Sequence, residues 1–407
     1  MKLLYIASID FYTKPNPSYH LMTTMLEDLL EAGIEVQFVG CEEDGVEKHI
    51  PDFLEGKSGF SYYLIPCPKV EKSNFIRRYL EGIRYAKAVG RYIKNSIHDC
   101  DVIFVQSSPT VLYTLYYARK YAEKKQIIYN VQDMFPGSSI ASGVMSQKWM
   151  QRIFYSLQKI AYKKADVITA ISEDMKTKLM EQGVSEDKIR VIVNWFDDSS
   201  VHEVAWADNR FVKKYELDPN TFYVQYAGTM GYVFDYKMVL QVAERLKNHQ
   251  DIVFQMIGEG SQKKAFIQAA EEKQLDNIVF LPLEPQEMVS DVYSACSVCL
   301  IPLKKGIIGN SVPSKAGLLM ACKRAIVTSV DKDSDYYNMI DKYAGVSASN
   351  DDPDAVAEAI IRLKNDREEC KAFGKNGYDY GHELYSRSNN MKVYIDLIRT
   401  CAAAYEK

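Results

Sequence analysis

The chain lacks most of the features that settle a function at a glance. No apolar run reaches the roughly 18 residues a membrane-spanning helix needs, so no spanning segment is expected. Histidine is scarce: six occur in 407 residues, and none stands at a spacing that completes a metal site or pairs with a nucleophile. Charge of one sign is missing too. The 50 Lys and Arg against 54 Asp and Glu leave a formal net charge of -4, which offers no bulk attraction to nucleic acid. Neither half carries a full G-x-G-x-x-G fingerprint, which disfavours a dinucleotide oxidoreductase.

The eight cysteines (Cys41, Cys67, Cys100, Cys296, Cys299, Cys322, Cys370 and Cys401) form no paired framework. In a long chain with no secretion signal they read as reduced thiols. Cys296 and Cys299 make one C-x-x-C. No second pair or nearby histidine completes it, so packing where a helix enters a buried strand outweighs redox or zinc chemistry. The opening MKLLYIASIDFYTK reads as a first strand rather than a signal peptide, and a cytoplasmic protein is expected.

What the chain does have is alternation. KLLYIAS, IEVQFVG, DVIFVQS, QIIYNVQD, ADVITAIS and VIVNW read as strands separated by helix-period sequence, the first helix closing at Gly33. The pattern restarts with TFYVQYAGTMG, IVFQMIGEG, NIVFLPL, VCLIPL and RAIVTSV. Such alternation predicts parallel sheets covered on both faces. The fold class is α/β: two facing, doubly wound, Rossmann-like domains with an interdomain cleft. The domains are placed at 1–200 and 201–385, joined near 197–209. Residues 386–407 form a terminal helix packing back on the first domain, at the end of a tail that is continuously helical in period. Ligands are then expected at the carboxyl ends of strands, beside helix N-termini.

Three turns in the second half occupy such places. In AGTMG, Gly228 and Gly231 flank Thr229 and Met230 directly after a strand; this is either a phosphate-approaching backbone or an ordinary tight turn. In IGEGSQ, Gly258 and Gly260 bracket Glu259, where a base or ribose could lie against the backbone, or where glycine is kept for shape. In GNSVPSKAG, Asn310, Val312, Pro313, Ser314 and Lys315 lead into a helix. Pro313 suits a first turn, and Ser314 and Lys315 with free amides suit an anion; plain capping is the competing account. Three such turns in one domain favour a diphosphate-bearing ligand.

The order of motifs resembles the GT-B-fold glycosyltransferases of family 4, in particular the bacterial polysaccharide branch that transfers amino or deoxyamino sugars. The resemblance rests on Val131-Gln-Asp133-Met-Phe-Pro136, Ala165 to Ser172, Val193-Asn194-Trp195, Tyr226 to Gly231 and Val312-Pro-Ser-Lys315. It implies a retaining transferase that uses a UDP-sugar as substrate and needs no metal and no other cofactor. The donor would lie against the C-terminal domain and a lipid-linked saccharide acceptor against the N-terminal one. Lys315 would stabilise the leaving diphosphate. On the acceptor side stand Asp10 and Ser18, in a Pro-rich loop that reads equally as a connection, and Asp133, which either orients an acceptor hydroxyl or takes its proton, or caps the following helix.

The sequence departs from the family pattern in five places. Asn310 and Leu318 stand where many members carry two glutamates, and Thr229 and Asp235 stand near the usual arginine and lysine, with Lys237 two residues on. Gly137 follows the 133–136 turn in place of a glutamate. The ribose then needs another partner, such as Glu284 or backbone.

Lys69 to Lys94 holds eight basic against two acidic residues with aromatic and aliphatic ones interleaved. This is either a solvated helix face or a surface for anionic lipid headgroups. The resemblance favours the second, and places the protein peripherally on the inner face of the cell membrane. Two other classes stay open: a nucleotide-sugar epimerase, which would need converging acid and base groups, and a non-catalytic nucleotide-sugar binder.

Overall fold

The computed structural model describes residues 1–8, 17–45, 50–70, 75–96, 100–197, 200–313 and 315–404. It divides into two units. One comprises Met1–Gly137, Met145–Asn194 and Asn390–Lys407; the other comprises Ser138–Val144 and Trp195–Asn389.

The first runs β1 (Lys2–Ile6), α1 (Pro17–Glu31), β2 (Glu35–Glu43), β3 (Phe60–Cys67), α2 (Phe75–Ser96), β4 (Val102–Gln106) and α3 (Val111–Tyr121). It continues with β5 (Gln126–Val131), α5 (Lys148–Lys164), β6 (Val167–Ala170), α6 (Glu173–Glu181) and β7 (Ile189–Val191); the short α4 (Gly137–Ala141), between β5 and α5, falls with the other unit from Ser138 on. Its seven strands are ordered β3-β2-β1-β4-β5-β6-β7, and every pairing is parallel. The central strands β1, β4, β5 and β6 are largely apolar because helices cover both faces. Tyr5 on β1 stacks on Phe38 and Phe104.

The second unit runs α7 (Arg210–Lys214), β8 (Phe222–Ala227), α8 (Tyr236–Arg245), β9 (Ile252–Ile257), α9 (Lys263–Glu272), β10 (Ile278–Leu281), α10 (Val289–Ser294) and β11 (Val298–Pro302). Then come α11 (Lys315–Ala321), β12 (Ala325–Val330), α12 (Asp335–Tyr343), β13 (Gly345–Ser349), α13 (Pro353–Asn365) and α14 (Arg367–Tyr385). The last helix, α15 (Arg387–Ala403), sets Tyr394 edge-on to Phe104 of β4. The six strands are ordered β10-β9-β8-β11-β12-β13, again all parallel. Phe222, Val224, Phe254, Phe266, Val298, Leu300 and Ile360 form its core.

In each sheet the strand order reverses once, between β1 and β4 and between β8 and β11. That reversal opens a crevice at the carboxyl ends of the two strands, because their connections leave in opposite directions. Side-chain caps start several of the helices: Ser172 accepts from the Met175 N–H, Asp235 from Lys237 and Met238, and Ser334 from Tyr337. Each such cap is worth about 1 kcal/mol.

The structure adds two strands that the sequence reading did not expect and moves a third. β3 is an edge strand with Tyr62 and Tyr63 exposed, so it shows neither clean alternation nor an apolar run. β13 is GVSAS, built of small residues; its Gly345 lies where a Cβ would strike the Ile326 carbonyl. The strand expected at VIVNW ends at Val191. The tail is broken into three helices, with Asp366 capping α14 and extended Ser386 closing it.

Candidate functional site

The turn after β8 lies at the reversal in the second sheet, and packing dictates its conformation. Gly228 N–H donates to the Ile257 carbonyl at 2.9 Å and Met230 N–H to the Glu259 carbonyl at 2.8 Å, so the 228–231 turn continues the β8–β9 ladder. A Cβ on Gly258 would fall on the Gly228 carbonyl, and one on Gly260 on the Met230 carbonyl. Both glycines hold positive φ, 136 and 159 degrees. Their absent side chains therefore serve the approach of one turn to another, which is the shape alternative the sequence offered for these glycines. Met230 is likewise buried in the core and offers shape rather than a ligand group. Thr229 is exposed and Gly231 half-buried at the open side of the turn.

Lys315, the first residue of α11, reaches this turn from 88 residues away. Its Nζ donates to the Ala227 carbonyl at 3.1 Å and stands 3.6 Å from the centre of the Tyr226 ring. A Cβ on Gly228 would come within 2.7 Å of that ammonium, so glycine at 228 makes room for it. The Tyr226 hydroxyl in turn donates to the Thr229 carbonyl at 2.7 Å, locking the turn over the ring that supports the cation. Desolvation by burial lowers the Lys315 pKa from 10.5 to about 7. A cation held in this state gains more from a bound anion than a solvated one does, because the anion replaces water the site has already removed.

The approach to α11 is braced rather than open. Asn310 Nδ2 donates to the Gly306 carbonyl at 2.9 Å, and the Asp331 carboxylate accepts from Gly306 and Ile308 N–H. Val312 and Pro313 are half-buried; Ser314 lies outside the described residues. Helix α11 spans only seven residues, so the charge of Lys315 outweighs any dipole contribution. Glu259 is an exposed carboxylate paired with Lys263 at 2.6 Å. Asp235 caps α8. Glu284 is committed to Lys214 Nζ at 2.8 Å and to the Tyr215 hydroxyl at 2.5 Å, which removes it as a free ribose partner. Leu318 is half-buried. Gln262, which sequence reasoning missed, donates through Nε2 to the Gly231 and Phe234 carbonyls and clamps the far side of the glycine turn. No local pattern marks a glutamine 31 residues away as its partner. The Cys296 and Cys299 thiols are buried and 3.4 Å apart.

In the first unit, Asp133 is exposed two residues beyond the end of β5. It precedes the cis Phe135–Pro136 bond. The floor beside it is uncharged and polar. Asn194 Nδ2 donates to Gln132 Oε1 at 2.8 Å, Gln132 Nε2 to Asn130 Oδ1 at 3.1 Å, and Thr169 Oγ1 to the same oxygen at 3.2 Å. The Gln132 N–H donates to Ser107 Oγ. These residues stand at or just beyond the ends of four adjacent strands, β4 to β7, so they meet only through strand order. Asp10 lies outside the described residues, and Ser18 falls within α1 with no described side chain.

Two family descriptions match the chain: "Glycosyltransferase Family 4" over residues 21–200 and "Glycosyl transferases group 1" over residues 208–380. "Probable glycosyltransferase WbjE" of Pseudomonas aeruginosa is 25% identical over 299 residues, covering 73% of this chain and 74% of the relative. "Putative colanic acid biosynthesis glycosyl transferase WcaI" of Escherichia coli K12 is 22% identical over 235 residues, 58% of this chain and 57% of the relative. Among solved structures, HepE of Anabaena in complex with UDP and glucose superposes with a TM-score of 0.74 at 12% identity, covering 98% of this chain and 100% of that one. At that identity the likeness concerns the fold.

Proposed function

The chain belongs to the GT-B-fold glycosyltransferases of family 4, and on that premise we propose that it transfers a sugar from a UDP-sugar to a lipid-linked saccharide during assembly of a surface polysaccharide. The sugar is of the N-acetylated amino or deoxyamino type and is transferred with retention. The donor lies on the second unit and the acceptor on the first. Residues 69–94 hold the protein peripherally against an anionic inner-membrane surface.

The observation that carries this reading is the desolvated Lys315 ammonium lodged against the Gly228 turn. In the reaction the bond between the sugar C1 and the diphosphate oxygen breaks and a bond from C1 to the acceptor oxygen forms on the same face. The acceptor proton passes to the departing phosphate or to Asp133. Negative charge grows on the diphosphate as the bond breaks. A preorganised cation there lowers the barrier because it has no water to shed at that moment. Asp133 acts on the acceptor hydroxyl by orientation or as base.

The test is a thermal-shift series with UDP, GDP, ADP and UDP-N-acetyl sugars, since a ligand of the native state raises apparent stability by mass action. UDP and its sugars are expected to stabilise the protein selectively, with the shift lost in Lys315→Ala. No shift with any nucleotide, in a variant-independent manner, rejects the donor site. Conversion of the sugar without release of UDP would instead reveal an epimerase.

A further inference from the structure

The sequence directs attention to residues 69–94 alone, but the fold sets a second helix beside them. Helix α2 packs on α3 and α3 on α5. Tyr79 of α2 meets Phe154 of α5 edge-on at 5.2 Å. Beside that half-buried rung, Ile76 and Leu80 of α2 are exposed at 72% and 55%, and Trp149 and Ile153 of α5 at 64% and 50%. Single exposed apolar residues are ordinary, whereas large ones gathered on adjoining helices within a polar rim mark an interaction surface. The rim has one sign. Helix α5 carries Lys148, Arg152, Lys159, Lys163 and Lys164 and no acidic residue; α2 carries six basic residues and only Glu81 in opposition. This composition stands against the net charge of -4 of the whole chain. Phe154 also contacts Phe135 at 5.0 Å, two residues beyond Asp133, so the patch adjoins the turn assigned to the acceptor.

We propose that α2 and α5 together form a docking surface for an anionic lipid bilayer. Ile76, Leu80, Trp149 and Ile153 enter the headgroup boundary, and the surrounding arginines and lysines engage lipid phosphates. Docking this way extends to α5 the membrane attachment proposed above for residues 69–94 and brings the Asp133 turn to the plane where a lipid-linked acceptor is presented; that consequence rests on the function proposed above. Among the described residues no helix is long and apolar enough to cross a membrane, and this surface supplies attachment without crossing.

The experiment is sedimentation of the full chain with vesicles of phosphatidylcholine alone or mixed with phosphatidylglycerol, with UDP binding measured in parallel. The chain is expected to sediment with the phosphatidylglycerol vesicles, to be released by high salt, and to lose roughly tenfold or more of its binding in Trp149→Ser/Ile153→Ser and in Arg152→Glu/Lys159→Glu. UDP binding retained by both variants shows that they are folded. Equal binding of wild type and both variants, or no preference for the anionic lipid, overturns the proposal. So does a dimer of the free chain that falls to monomer in Trp149→Ser/Ile153→Ser without any vesicle binding, since a second copy then occupies the face. Vesicle binding without UDP binding leaves the surface standing and rejects the donor site instead.

Discussion

If Lys315 is a desolvated cation waiting for a diphosphate, its ionisation must be linked both to folding and to nucleotide binding. Its pKa falls from 10.5 to about 7 in the folded chain. Between those values the unfolded chain holds the proton and the folded one does not, so stability rises with pH across that window and the cost is greatest at and below pH 7. Each pH unit corresponds to about 1.4 kcal/mol, which puts the cost near neutrality on the order of 4 kcal/mol before the Ala227 hydrogen bond and the Tyr226 ring offset part of it. Lys315→Met keeps the volume and removes the charge. It is expected to raise stability at pH 7 by about 2–4 kcal/mol and to flatten the rise toward pH 10. A bound diphosphate restores the ammonium, so UDP binding takes up a proton. Affinity should therefore fall by about 10- to 50-fold from pH 7 to 9, a size limited by what one charge-assisted hydrogen bond is worth. Denaturant titrations from pH 6 to 10 measure the first effect. Calorimetry of UDP binding in buffers of different ionisation enthalpy measures the second, with the Met variant as control for the phosphate's own ionisation near pH 6. Identical pH slopes in wild type and variant, with no proton uptake on binding, would refute the reasoning.

Three further outcomes are expected. Gly258→Ala places a Cβ on the Gly228 carbonyl at a φ of 136 degrees and should cost about 3 kcal/mol in chemical denaturation, with UDP binding weakened as the turn is displaced. Asp291 is almost fully buried. Burial alone would raise its pKa, but hydrogen bonds from the Arg210 side chain and backbone N–H hold it below the ordinary value. It therefore contributes stability above the unfolded carboxylate value near 4 that is lost as pH falls, and Asp291→Ala should cost about 3 kcal/mol at pH 7 and less in acid, by thermal or urea melts. Asp133→Asn should leave the fold and UDP binding intact while lowering turnover about 100-fold in a transfer assay with a saccharide acceptor, if its carboxylate handles the acceptor proton; unchanged turnover would return Asp133 to helix capping.

The periodicity of the sequence alone determined that the chain builds two doubly wound parallel sheets. β1, β5, β8 and β12 are apolar nearly end to end, a property each strand carries in its own residues. The order of short motifs likewise pointed to Gly228 and Lys315 together, and the fold sets the Lys315 ammonium against the Gly228 turn. Edge strand β3 and small-residue strand β13 escaped because pairing with β2 and β12, rather than a hydrophobic pattern, makes them strands. Tertiary structure decided the details that govern chemistry. It set the Lys315 ammonium on Tyr226, turned Gly258 and Gly260 to backbone packing, took Glu284 for Lys214, and brought Gln262 and Asp331 to brace the turns. It also laid α5 beside α2, making one basic and apolar face from helices that 51 residues separate between Ser96 and Lys148. Periodicity is a local property and survives in a single sequence. A contact between distant residues exists only once the strand order has placed two chain segments side by side.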